Sequence, residues 1–122
     1  MDKPRATLRA IAPIFQVTNL ERAIDFYTRV MGFELGWTAG NPADRASFCR
    51  DSVEITVEVE PIPARGQVYL QVSGIDAYFA SVVAGGAKVK LPLGDRPYGM
   101  RDGRVVDPDG NELHLGEPLV KG

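Results

Sequence analysis

At 122 residues, with a formal charge of -2 and a sequence pI of about 5.4, the chain holds one domain's worth of core and offers no basic face to nucleic acid or an anionic membrane. No run approaches the roughly 18 apolar residues of a membrane span, and Met1-Asp2-Lys3-Pro4-Arg5 has no signal-peptide core, so a cytoplasmic location is expected. Cys49 is the only cysteine, which excludes an intrachain disulfide and reads as packing.

The first ten residues are polar, lack periodicity and read as a loosely held arm. A strand is expected over 11–17. Thr18 and Glu21 then form a capping box for a helix, with Asn19 as the rival cap. Leu20, Ala23, Ile24, Tyr27, Val30 and Met31 recur at helical spacing, so one apolar stripe faces a sheet until Gly32 stops the helix. Strands follow over 33–38 and 46–50, separated by a loop at Gly40-Asn41-Pro42. After the turn Arg50-Asp51-Ser52, residues 53–59 alternate, with Val53, Ile55, Val57 and Val59 on one face and Glu54, Thr56 and Glu58 on the other. Pro61 and Pro63 mark a linker, because proline lacks the donor a strand needs.

The plan then repeats. Gln16-Val17-Thr18-Asn19-Leu20 is echoed by Gln71-Val72-Ser73-Gly74-Ile75, and the helix stop Met31-Gly32 by Gly85-Gly86. The second copy gives a strand over 67–72, a helix over 75–84 and strands over 88–91, 104–107 and 112–115. A long loop is expected over 95–103, where Arg96, Arg101 and Arg104 read as solvated charges. The last two strands close through Asp107-Pro108-Asp109-Gly110-Asn111, whose Pro and Gly sit where turns favour them. The expected fold is α+β: two tandem βαβββ modules in a single domain over 1–122, module one at about 8–60, a linker at 61–65 and module two at about 66–118. Their curved sheets enclose a cup and carry the helices outside.

Two stretches carry a family resemblance: Leu20-Glu21-Arg22-Ala23-Ile24-Asp25-Phe26-Tyr27 through Met31-Gly32-Phe33, and Val106-Asp107-Pro108-Asp109-Gly110-Asn111-Glu112-Leu113. In that order they resemble the vicinal-oxygen-chelate superfamily of glyoxalase, bleomycin-resistance and extradiol-dioxygenase relatives. The resemblance implies four inward positions for a metal, here Ala12, Glu54, Gln67 and His114, with Ala12 matching Gln67 and Glu54 matching His114 across the repeat. Ala12 has no donor. Pro13, the turn Arg50-Asp51-Ser52-Val53 and Pro97-Tyr98-Gly99 are similar to the bleomycin-resistance branch, which sequesters a drug without metal between two aromatics. Tyr98 takes one of those positions and Arg45 the other.

The favoured expectation is therefore a homodimer that binds a small organic molecule in a cup shared between chains, with no metal cofactor and a link to antibiotic resistance. The candidate ligand-binding residues on the strands of module one are Gln16, Trp37, Phe48, Glu54, Thr56 and Glu58. Those of module two are Gln67, Tyr69, Gln71, Tyr98, Glu112 and His114. Glu54, Glu58 and Glu112 are expected to supply charge for a polar, cationic or aromatic ligand. The alternative is a lyase, isomerase or dioxygenase whose Zn, Ni, Mn or Fe is held by Glu54, Gln67 and His114.

Overall fold

The structure, a computed structural model, describes residues 5–119. Eight strands and two helices follow in the order β1 (Ile14–Val17), α1 (Leu20–Asp25), β2 (Glu34–Gly40), β3 (Ala43–Arg50), β4 (Val53–Val59), β5 (Gln67–Gln71), α2 (Ile75–Ala84), β6 (Lys88–Asp95), β7 (Met100–Val106) and β8 (Glu112–Pro118). They make two four-stranded sheets, β1-β4-β3-β2 and β5-β8-β7-β6. The first and last strands of each module pair in parallel and the hairpins are antiparallel. The tandem βαβββ reading is thereby established.

The first strand is shorter than its apolar run suggests, because Pro13 has no N–H to give the ladder; its carbonyl still accepts from the Thr56 N–H at 3.0 Å. Asn19, and not Thr18, caps α1: its Oδ1 accepts from the Arg22 N–H at 2.9 Å. Thr18 instead donates its hydroxyl to Asp109 Oδ1 at 2.7 Å, which ties the two modules together. Beyond Asp25 the helix widens into a π-helical segment, Phe26–Val30, closed by the Met31 N–H bonding to the Phe26 carbonyl. Phe26, Tyr27 and Val30 are all buried by it.

A single core contains both modules. Tyr27, Phe48, Ile55 and Val57 from the first pack in the same cluster as Ile75, Phe79, Val82, Leu113 and Leu115 from the second. Polar groups lock the junction. Asp107, almost wholly buried, accepts from the Tyr27 hydroxyl at 2.9 Å and from Asn111 Nδ2 at 2.9 Å. Asn111 also donates Nδ2 to the Gln16 carbonyl at 3.0 Å, and its Oδ1 accepts from the Gly66 N–H at 2.8 Å. The turn read from Pro and Gly is thus a clasp whose buried polar atoms are satisfied.

Residues 95–103 are not one long loop. The strands β6 and β7 run into this stretch from both sides, and only residues 96–99 connect them. β6 is an edge strand with register shifts around Leu91, so it tolerates Pro92 and Gly94 where a central strand would not.

Candidate functional site

Each sheet has an apolar face buried in the core and a polar face turned away from it. On the first sheet the register aligns Gln16 with Glu58, Glu58 with Arg45, Thr56 with Ser47 and Ser47 with Trp37. On the second, Gln67 aligns with Glu112, Tyr69 with His114, and His114 with Arg104. Strand alternation therefore places all the expected site residues except Phe48 on polar faces or at their rim. Phe48 pairs with Ile55 on the opposite face, is fully buried, and stacks on the Tyr27 ring with centroids 5.1 Å apart. It is a core residue, not a ligand contact.

The register also corrects the matching of the two modules. Ile14 and Tyr69 hold the same position in the repeat, and their parallel partners are Thr56 and His114. Thr56 is thus the counterpart of His114, and Glu54 the counterpart of Glu112. The four equivalent inward positions become Ala12, Thr56, Gln67 and His114, a methyl, a hydroxyl, an amide and one imidazole. Such a set lacks the two or three strong anionic or imidazole donors that hold a catalytic divalent ion. Among the described residues no three of His, Cys, Asp and Glu gather into a metal-binding group.

Several side chains are already engaged. Gln16 Oε1 accepts from the Ala64 N–H at 2.7 Å and so fixes the linker. Glu54 accepts a short hydrogen bond from the Ser47 hydroxyl. Glu112 does not offer free charge: Lys90 Nζ lies 2.6 Å from its Oε2, and Arg104 and His114 stand 3.9 and 3.5 Å from its Oε1. The Lys90 hydrogen bond, opposed by partial burial, holds the Glu112 carboxyl below its ordinary range. With Lys90 and Arg104 around one carboxylate, this part of the second face is net basic, while Glu54 and Glu58 outnumber Arg45 and leave the first face net acidic. His114 Nε2 is buried without a hydrogen-bond partner.

The residue that sequence reasoning missed is Asp102. It lies in the stretch read as a loop, but belongs to β7 and is almost wholly buried on the polar side of the second sheet. Its Oδ2 accepts from the Tyr98 hydroxyl at 2.6 Å and the Tyr69 hydroxyl at 3.0 Å, and its Oδ1 from Arg96 Nε at 2.9 Å. Burial works to raise the Asp102 carboxyl, yet the bonds from Tyr98, Arg96 and Tyr69 outweigh it and leave the group below its ordinary value. Burial and the Asp102 carboxylate push Tyr69 up to about 12, and the same carboxylate raises Tyr98. The arginines therefore divide. Arg96 belongs to this network, Arg104 to the Glu112 group, and Arg101 pairs with Asp76 and Asp95.

Aromatic surface remains open on both faces: Trp37 is 46% exposed, Tyr69 44% and Tyr98 63%. No hydrogen bond or ion pair among the described residues joins one polar face to the other. A cavity of about 330 Å³ at the junction between modules is lined instead by residues that include Arg50, Ser52, Val53, Ser73 and Tyr78; of the expected site residues only Gln71 reaches it.

Comparison with known proteins agrees with this architecture. Residues 9–115 match the family model described as the Glyoxalase/Bleomycin resistance protein/Dioxygenase superfamily. An uncharacterized protein of Mycobacterium bovis is 27% identical over 129 aligned positions, spanning 90% of this chain and 84% of that protein. Among solved structures, TioX from Micromonospora sp. ML1 superposes with a TM-score of 0.81 at 25% identity, over 91% of this chain and 99% of its own. A lactoylglutathione lyase from Agrobacterium tumefaciens shares the fold at a TM-score of 0.73 and 19% identity, over 95% and 96% of the two chains.

Proposed function

Since the chain belongs to the glyoxalase/bleomycin resistance protein/dioxygenase superfamily, we propose that it binds a small, flat organic molecule without a metal, in a cup formed when the polar sheet faces of two copies meet. One observation carries this reading. The inward positions that would hold an ion supply a single strong ligand, His114, while the same faces keep Trp37, Tyr69 and Tyr98 open to solvent. Exposed aromatics are recognition surfaces for flat ligands, and folding does not require them there. The acidic first face and the basic corner around Lys90 and Arg104 are complementary, which favours their meeting across two chains. Sequestration of the ligand, as in the bleomycin-resistance branch, needs no reaction, and a cytoplasmic setting suits it.

The second reading is a metal-dependent lyase, isomerase or dioxygenase. It is favoured by His114 Nε2, which is buried without a hydrogen bond and has the Glu112 carboxylate 3.5 Å away. Elemental analysis of protein purified without chelator or nickel resin separates the two. We expect less than about 0.2 equivalents of Zn, Ni, Mn or Fe and a Tm indifferent to chelator, since an ion bound only to the folded state raises stability. Near-stoichiometric metal, lost together with stability in His114→Ala, would establish the second reading instead.

A further inference from the structure

We infer that Asp102 is a positioning residue which turns Tyr69 and Tyr98 into hydrogen-bond acceptors only, so that this wall of the cup selects neutral aromatic ligands that bring N–H or O–H donors and rejects those that bring only acceptors. The inference rests on the reading of the polar faces as the binding surface.

An ionised carboxylate only accepts, and each phenol has one proton to give. Both tyrosines direct that proton to the same Asp102 Oδ2, at 3.0 and 2.6 Å. Arg96 occupies the other carboxylate oxygen through Nε at 2.9 Å and also donates Nη2 to the Asp102 backbone carbonyl at 2.8 Å. The carboxylate is thus ionised, paired and unable to release either phenol. What the two phenol oxygens retain for a ligand is lone pairs. Their rings stay open beside those oxygens, Tyr98 at the tip of the 96–99 connection and Tyr69 edge-on to the His114 ring at 6.1 Å.

The local backbone is shaped to this network. A Cβ at Gly116, the β8 partner of both Gln71 and Asp102, would collide with the Tyr69 hydroxyl and stand 2.8 Å from Asp102 Cβ. Glycine is what lets the tyrosine lie across the strand and reach the carboxylate. The charges that face the network are Arg96 from the connection, Arg104 on the same strand and the His114 ring on β8. Arg96 balances Asp102, and Lys90 with Arg104 outnumber Glu112, so a cationic ligand gains nothing from this wall and a neutral donor is the class that fits.

Aniline and pyridine, both neutral aromatics near neutral pH, test this as a donor and an acceptor of similar size, with binding read from the amide shifts of Tyr69, Tyr98 and their strand neighbours. We expect aniline to bind at least about fivefold more tightly than pyridine, the scale of one net hydrogen bond. In Asp102→Asn the amide oxygen stays with Arg96 Nε and the NH2 turns to the phenols, which frees their protons for a ligand and should bring the ratio to one or below. If that variant does not fold, Tyr98→Phe, an exposed position, should reduce the ratio alone. A parallel absorbance titration reads the network without any ligand: two of the four tyrosines should ionise earlier in Asp102→Asn than in the native protein. Pyridine bound as tightly as aniline at these residues, with the titration as expected, overturns the selectivity. Shifts by neither compound at either tyrosine remove the proposal together with the cup reading beneath it. Unchanged tyrosine ionisation in Asp102→Asn overturns the network itself.

Discussion

Ser47 and Phe48 are neighbours on β3 and both have no exposed surface, yet they face opposite ways. Ser47 gives its hydroxyl to Glu54 on the polar side, while Phe48 stacks on Tyr27 in the core. Substituting Phe48 on the core side and Glu54, the partner of Ser47, on the polar side should separate the two roles. Phe48→Ala is expected to cost about 3 to 5 kcal/mol in urea unfolding, as for other buried aromatics. Glu54→Gln, outside the core, should cost about 1 kcal/mol or less. A Phe48→Ala protein as stable as the native one would place this ring outside the core. The residue scale also sets an alkaline limit. Tyr69 has its folded value raised to about 12 from an ordinary value of 10.0, so the neutral phenol is the form that folding favours. Its stabilising contribution is complete below pH 10 and is lost as pH rises through 12. Denaturant midpoints should accordingly fall over that window in the native protein, and fall less in Tyr69→Phe.

At the scale of elements, the legible parts were those whose pattern has a period. β4, with its faultless alternation, and α2, with its stop at Gly85, run as read. Polar faces followed from alternation too, which is why eleven of the twelve expected site residues lie on them or at their rim. The exception, Phe48, sits on a strand where Ala46 and Ser47 hide the alternation. What composition concealed is the facing ends of β6 and β7, beyond the strands expected at 88–91 and 104–107. Pro92, Gly94, Asp95 and Gly103 look like loop residues, but β6 is an edge with bulges, and Gly103 is required because the Phe79 ring would lie 2.7 Å from any Cβ there. Asp102 was lost with them, since a carboxylate in an apparent loop carries no signal of burial. Strand register is likewise invisible in a single chain, and it is register that replaces Glu54 by Thr56 in the inward set. It yields a test: Ala12→His, Thr56→Glu and Gln67→His together, joined to His114, should create a Zn site that raises Tm in a chelator-reversible way. The same change made with Thr56 native leaves three imidazoles and should bind Zn more weakly, with no fourth ligand from Glu54. The clasp at Asp107–Asn111 gives another. Asn111→Ala strands the Gly66 N–H and the Gln16 carbonyl, and should cost about 1 to 3 kcal/mol in unfolding measurements.

For the whole molecule, one chain supplies two polar faces that no hydrogen bond or ion pair among the described residues connects, each with an open aromatic and an unpaired strand edge. A second copy completes the proposed cup by setting the face of Glu54 and Glu58 against that of Arg104 and His114. Cys49, the only cysteine, makes this directly measurable: it is exposed and aligned with Glu54 on the polar face of the first sheet. Protein carrying a nitroxide on Cys49, refolded with an equal amount of isotope-labelled Cys49→Ser protein, reports only proximity between chains. The account predicts broadening of the partner's amides along β5 and β8, centred on Tyr69 and His114, which vanishes when the nitroxide is reduced. Broadening confined to module one, or none at concentrations where light scattering reports twice the 13.3 kDa chain mass, would contradict the shared cup.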